Sequence, residues 1–391
     1  MGATELHVLS KTPYNAEPPL TELVKHPITP RHLVYKRNHS DTIDLKSTAD
    51  TYTVRIDGNF DGLEQKAITY PDILNRFPRK EVVAALVCAG NRRATMAAKT
   101  GREVKGIKWG DGAASNVCWA GAGLRDILLA AGLPDNGGSY EGYHVCFASY
   151  VAPCEDDEYY GGSIPLTDAM SEEGDAILAY EMNGELLTPG HGFPLRVVVP
   201  GTYGMRWVKW VDRITISKEE SPNFYQQRDY KVLPDNVTSK VMAESEGWWS
   251  RVPSMQLLAC NSAVTDVRRS FSACPDEIRI KARGYAYSYC PISRVEISVD
   301  NGKTWEEAKI IYQEGQRSWT LWEAELELIL DDEAETNGVV VIEEDTNGRV
   351  KRKMTVLSRA VDSSGNEQEL DCKWNLRGVG YAGAGGRSVE V

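Results

Sequence analysis

Near residue 240 the hydrophobic period of this 391-residue chain changes. Before that point, short apolar runs mix with helical patterns. Val82 to Val87 and Arg196 to Val199 read as buried strands, and Thr53-Val54-Arg55-Ile56-Asp57 alternates ahead of a Gly-Asn turn. Leu124, Ile127, Leu128 and Ala131 recur at i, i+3, i+4 and i+7, one helical face closed by Gly132 and Pro134. Beyond it the helical patterns fade. Ile278-Arg279-Ile280-Lys281-Ala282 and Val295-Glu296-Ile297-Ser298-Val299 alternate cleanly, and the pairs Asn301-Gly302 and Asn347-Gly348 supply the positive φ angles of tight hairpins. The first part lacks a regular βαβ rhythm, which predicts α+β rather than a doubly wound sheet. The second predicts an all-β sandwich. The expected domains are 1–245 and 246–391, with residues 1–50 read as an irregular wrapping segment.

Composition removes several classes of function. Lys plus Arg number 44 against 56 Asp plus Glu, a net charge of −12. Such a chain lacks the basic surface that displaces counterions from nucleic acid, so no nucleic-acid partner is expected. No apolar run approaches the roughly 18 residues of a membrane span, so no membrane partner is expected either. The start, Met1-Gly2-Ala3-Thr4-Glu5-Leu6, has no basic-then-apolar stretch, and the tail Ser388-Val389-Glu390-Val391 is not Ser-Lys-Leu. An intracellular location is expected, with cytoplasm, mitochondrion and peroxisome left open. The eight cysteines are scattered with no C-x-x-C pair, which predicts reduced thiols that mostly fill the core. The acidic stretch from Glu323 to Asp345 reads as a solvated face and hairpin tips.

Three features carry chemistry. Gly378, Gly380 and Gly383 spell G-x-G-x-x-G, but too few residues follow for the helix and return strand of a dinucleotide site, so the segment reads as a flexible glycine-rich end. Cys88 closes the apolar run and opens Cys88-Ala89-Gly90-Asn91-Arg92-Arg93, where a strand meets a loop. Arg92 and Arg93 should favour its thiolate, a soft ligand for a transition metal. Arg37, Arg93, Arg196, Lys209 and Arg377 all stand beside glycine, proline or turn residues. Loops of that composition make anion sites, because backbone N–H groups and guanidinium forks match phosphate or sulfur oxyanions.

These residues resemble the sulfite oxidase family of molybdenum enzymes, specifically the haem-free members found in plants. The resemblance runs from about residue 12 to 380. It rests on Tyr35–His39 (YKRNH), Cys88–Arg93 (CAGNRR), Val104–Trp109 (VKGIKW), Trp119–Leu124 (WAGAGL), Ala179–Glu185 (AYEMNGE), His191–Pro200 (HGFPLRVVVP), Asp229–Lys231 (DYK) and Trp374–Gly378 (WNLRG). It implies a sulfite-oxidase-type molybdopterin-binding domain followed by an immunoglobulin-like dimerisation domain, and therefore a homodimer. It also implies one molybdenum on a single pyranopterin dithiolene, with Cys88 as the metal's protein ligand and no haem in this chain. By position, Tyr35, Lys36, Arg37, Asn38, His39, Ser149, His191, Arg196, Trp207, Val208 and Lys209 hold the pterin and its phosphate. Arg37, Arg93, Trp119, Tyr230 and Arg377 line the substrate pocket. Met205-Arg206-Trp207 departs from the family's more usual Ala-Arg-Ser or Ala-Arg-His.

The implied activity is oxidation of sulfite to sulfate by oxygen-atom transfer, with electrons passed to oxygen or a separate acceptor. Two alternatives stand beside it. One is a nitrate reductase-type molybdenum domain, to which Asn223-Phe224-Tyr225 and Glu246-Gly247-Trp248-Trp249 have a local likeness, whereas Arg377 in WNLRG argues for sulfite. The other is a non-catalytic molybdopterin-binding protein, since a fold does not by itself guarantee an activity.

Overall fold

The computed structural model describes residues 5–135, 139–271, 277–329, 340–344 and 350–390. The chain forms two compact units that exchange segments. The first comprises residues 1–18, 28–257 and 374–380; the second comprises 19–27, 258–373 and 381–391. The main division therefore falls at 257/258 rather than at the expected 245/246. Neither the excursion at 19–27 nor the return at 374–380 carries a composition shift, because a short segment is assigned by what it packs on.

Two five-stranded sheets build the first unit. One runs Glu185–Leu186, Ile177–Met182, Ala114–Gly123, Arg79–Val87, with Arg196–Val198 also paired to Ile177–Met182. The other runs Lys66–Thr69, Thr53–Gly58, Arg213–Ser217, His144–Ser149, Tyr160–Pro165. Its pairing of Arg213–Ser217 with Thr53–Gly58 is parallel and the remaining pairings of both sheets are antiparallel, as an α+β fold requires. Val54, Ile56, Phe147 and Ile214 from one sheet share a buried core with Ala84, Leu86, Val117 and Ile177 from the other. Helix Leu124–Ala130 buries Leu124, Ile127 and Leu128, the face its spacing predicts. Within the expected wrapping segment, His7–Lys11 and Tyr14–Glu17 pair as an antiparallel hairpin rather than running irregularly.

Apart from the one-turn helix Leu20–Leu23, the named elements of the second unit among the described residues are β-strands. Strands Asn261–Phe271, Glu277–Tyr287, Thr320–Ile329, Glu306–Gln313, Ile292–Ser298, Val350–Asp362 and Val340–Glu344 follow one another through antiparallel pairings, and Gly385–Glu390 joins Val350–Asp362. Glu306–Gln313 links the two layers. Its first residues pair with Ile292–Ser298 and its last with Thr320–Ile329, the second pairing carrying a register shift between Ile310 and Tyr312. Ile280, Ala282 and Trp322 from one layer and Val295, Ile297 and Val356 from the other share one buried cluster, so the strands pack as a sandwich. Asn301 and Gly302 have φ of 60° and 83°, the turn their pairing predicts. Asn347-Gly348, Cys274, Met1–Thr4 and the centre of the acidic stretch lie outside the described residues.

The tail corrects another expectation. Gly385–Glu390 is a strand rather than a loose end. Gly378, at φ 56°, is buried so closely that a Cβ there would lie 2.7 Å from Cγ of Arg93.

Candidate active site

Strand Arg79–Val87 delivers the chain to Cys88, and a tight loop turns it into helix Arg93–Thr100. The loop is fixed by its backbone: Cys88 N–H donates to the Ala113 carbonyl at 2.9 Å, Asn91 N–H to Cys88 at 2.9 Å, and Arg92 N–H to Gly110 at 2.7 Å. Gly90 N–H points at the Cys88 sulfur, 3.4 Å away. Arg93 turns back under the loop, its Nη1 donating to the Ile107 carbonyl at 2.7 Å and its Nε to Gly378 at 3.2 Å. Segment 374–380 is tied down beside it through Gly380 N–H to the Ala89 carbonyl at 2.8 Å. A one-turn π-helix, Tyr225–Asp229, then presents Tyr230, and Asp229 pairs with the Arg377 guanidinium.

Cys88 opens onto a cavity within the first unit. Tyr35, Lys36, Arg37, Asn38, His39, Ser149, His191, Arg196, Trp207, Lys209 and Tyr230 line it, so most of the expected site residues are brought together. None of the described residues lining it is Asp or Glu, although the chain as a whole is acidic. Lys209 Nζ is held instead by carbonyl groups, those of Arg37 at 3.2 Å and Gly190 at 3.3 Å and the side-chain oxygen of Asn38. His191 Nε2 and Arg196 Nε are buried with no hydrogen-bond partner among the described residues. A buried donor left unpaired is costly, so this wall is built to meet acceptor oxygens that the chain does not itself supply.

Electrostatics follow from that enclosure. Burial pushes the Cys88 thiol above its ordinary range, while Arg37, Arg93 and the Gly90 N–H pull it back. The expected help from Arg92 is absent because its side chain turns to Asp111, 3.5 Å away. Burial also pulls Lys209 and His191 well down, with neighbouring cations adding to the effect. Arg93 and Arg196 fall to about 10 for the same principal reason. Tyr230 is pushed up to about 12, so its hydroxyl keeps its proton at neutral pH.

Several expected residues stand elsewhere. Trp119 is fully buried behind the cavity, edge-on to Trp207 and 4.9 Å beneath the Arg196 guanidinium, so it supports the cation wall rather than a substrate pocket. Val208 is core, its carbonyl accepting the Val197 N–H. Arg93 and Arg377 are not among the residues that line the cavity: Arg93 is held by the Ile107 and Gly378 carbonyls and Arg377 by Asp229. Arg206 is spent inside the protein on Gln226 and the Met255 carbonyl. The sequence reading gave no role to Trp109, which packs 6.2 Å from Tyr35 beside the Cys88 loop, or to Tyr160, which lines the cavity. Trp109 ends the VKGIKW motif, whereas Tyr160 carries no local sequence signal.

A buried thiol in the wall of a cation-lined cavity, on an α+β unit in a chain that also carries a β-sandwich, defines a molybdopterin-dependent oxidoreductase. The oxidoreductase molybdopterin-binding domain family matches residues 39–225, and the Mo-co oxidoreductase dimerisation domain family matches 252–382. Sulfite oxidase of Gallus gallus is 37% identical over 380 residues, covering 96% of this chain and 75% of that protein. Sulfite oxidase of Arabidopsis thaliana is 36% identical over 391 residues, covering 96% and 91%. The chain belongs to the sulfite oxidase family and is a sulfite oxidase-type molybdenum oxidoreductase. In fold it is similar to the sulfane dehydrogenase SoxCD of Paracoccus pantotrophus, with a TM-score of 0.73 at 24% identity over 99% of this chain and 88% of that one. Among the described residues no helix is long and apolar enough to cross a membrane.

Proposed function

We propose that this chain oxidises sulfite to sulfate, holding one molybdenum atom through a single pyranopterin dithiolene and the Cys88 thiolate. The donor set fits that group. Two thiols line the cavity: Cys88, beside Arg37 and Arg93, and Cys154, which burial, Asp157 and Glu155 push up to about 12, so Cys88 is the better thiolate donor. No cluster of three or more His, Cys, Asp or Glu among the described residues is arranged to hold a metal alone. When bound, the cofactor supplies oxygen-atom transfer and takes up two electrons. Sulfite and water thereby become sulfate, two protons and two electrons, and the electrons leave to oxygen or a separate acceptor.

The chain's own work is binding and orientation. Lys36, Asn38, Ser149, His191, Arg196 and Lys209, with the Tyr35 and Trp207 rings, grip the pterin and its phosphate. Arg37, Arg93 and Arg377 attract the sulfite dianion and fix its oxygens, and Tyr230 donates a hydrogen bond to one of them. Two copies associate through the sandwich unit, and no haem belongs to the reading.

The observation that carries it is the pairing of the Cys88 thiol with buried cations in a cavity whose described lining has no carboxylate. Purified protein should contain stoichiometric molybdenum, and its Mo(VI) absorption should bleach on adding sulfite. Protein that purifies without the metal would be a pterin-binding scaffold. If dithionite-reduced protein is reoxidised by nitrate and sulfite fails to bleach the oxidised form, it is a nitrate enzyme.

A further inference from the structure

The hairpin strand Tyr14–Glu17 lies outside the cavity lining and has no part in the roles above. Its middle grips the segment that carries Lys36 and Asn38. Ala16 and Lys36 exchange backbone hydrogen bonds at 3.0 and 2.8 Å, and Asn15 Oδ1 accepts the Asn38 N–H at 2.8 Å. Glu17, the next residue, is buried and turns to the segment 110–113 instead. Its Oε1 accepts the Gly110 N–H at 3.0 Å.

That segment holds the Cys88 loop at both ends. The Gly110 carbonyl accepts the Arg92 N–H, and the Ala113 carbonyl accepts the Cys88 N–H while Ala113 N–H donates to Asn91 Oδ1 at 3.1 Å. Glycine is what lets the carboxylate approach. A Cβ at Gly110 would lie 2.9 Å from Glu17 Oε1, and one at Gly112 would lie 3.2 Å from Oε2. Burial pushes the Glu17 carboxyl above its ordinary range, the Gly110 and Gly112 N–H groups pull it back, and Asp111 pushes it up again. Oε2 is buried and makes no hydrogen bond among the described residues. A carboxyl group buried on these terms costs stability, and aiming the loop is the return for it.

We propose that Glu17 is a positioning residue for Cys88: by accepting the Gly110 N–H it fixes the 110–113 segment, and through it sets the Cys88 loop in register with Lys36 and Asn38. The sulfur is thereby aimed by a side chain outside the cavity. The loop geometry does not rest on the sulfite reading; only the turnover measurement below does.

Amide hydrogen exchange on the full chain tests the geometry. In Glu17→Ala the Gly110, Arg92 and Cys88 amides should exchange about tenfold faster or more, while the Phe147 and Ile214 amides of the other sheet keep their wild-type rates. Glu17→Gln retains an acceptor oxygen and should retain the wild-type pattern. Gly110→Ala drives a methyl group against the carboxylate and should reproduce Glu17→Ala, with the double variant no worse than either alone. The proposal is overturned by unchanged exchange at Arg92 and Cys88 in Glu17→Ala, by a uniform rise that includes Phe147 and Ile214, by an equal loss in Glu17→Gln, or by additive effects in the double variant. In molybdenum-loaded protein, Glu17→Ala should shift the thiolate-to-metal absorption band and lower kcat about tenfold with KM for sulfite little changed, and Glu17→Gln should restore both. A wild-type band in Glu17→Ala would show that the aim of the sulfur does not depend on Glu17. A wild type that ignores sulfite ends the functional reading and leaves the exchange pattern to decide the role of Glu17.

Discussion

The two units use the same cationic side chains in opposite ways. On the outer face of the sandwich, Arg279 meets Glu327 at 2.8 Å, Lys281 meets Glu325 at 3.4 Å and Arg283 meets Glu323 at 3.0 Å, all largely exposed. Each cation there faces a carboxylate across neighbouring strands, and water screens what remains. In the cavity, Arg196 is buried and Arg37 and Lys209 are half-buried, with carbonyls and rings for company. The ladder is complete in itself. The cavity is incomplete until an anion enters it, so the protein accepts a stability cost at one place in order to bind there.

The comparison breaks hardest at Cys88. Cys88→Ala should lose both molybdenum and sulfite turnover to the detection limit, measured by metal analysis and steady-state assay; near-normal turnover would remove the ligand assignment. Asp229→Asn should come next. It frees Arg377 from its carboxylate partner, and kcat/KM for sulfite should fall on the order of tenfold to a hundredfold as the guanidinium loses its aim. An unchanged kcat/KM would mean that the ion pair does not orient Arg377.

Arg196→Met separates binding from stability. Cofactor occupancy should drop, while the cofactor-free protein should gain about 1 kcal/mol or more, because a buried cation without a carboxylate is replaced by an apolar chain of similar length. A lower melting temperature of the cofactor-free variant would show that the cation is already compensated.

Asp212 tests the same rule with an anion. Its Oδ2 accepts the Tyr150 N–H at 2.9 Å, but its Oδ1 is buried without a hydrogen-bond partner among the described residues, and burial raises its pKa from 3.8 to about 6. The folded state therefore holds a proton that the unfolded state releases, and stability falls as pH rises from about 4 through 6. Asp212→Asn should be more stable than the wild type at pH 8 and indistinguishable at pH 4; melting curves at the two pH values check the crossover. Smallest of all, Lys281→Ala on the ladder should shift stability by no more than about 0.5 kcal/mol. A larger loss would show that the ladder is cooperative.

Much of this was legible in order along the chain. Ile278, Ile280 and Ala282 declared a buried strand face, and Leu124, Ile127 and Leu128 a helical one, because period and burial are the same fact seen locally. Cys88, His191 and Lys209 were legible as chemistry because short motifs carry their side-chain type and loop setting together. Three readings failed for one reason. Arg92 was taken as a partner of the thiol and turns to Asp111; Trp119 was placed with substrate and lies behind Arg196; Gly378 was read as slack and is clamped against Arg93.

Each of those failures concerns a neighbour distant in sequence. Residue type, periodicity and motif order are properties of the chain, and they were enough to determine the fold class and the family. Which cations share a cavity whose described lining has no carboxylate, and how far burial offsets the pull of Arg37 and Arg93 on the thiol, were decided only by tertiary structure. Desolvation and hydrogen-bond partnership depend on what surrounds a group in space, and adjacent residues do not encode that.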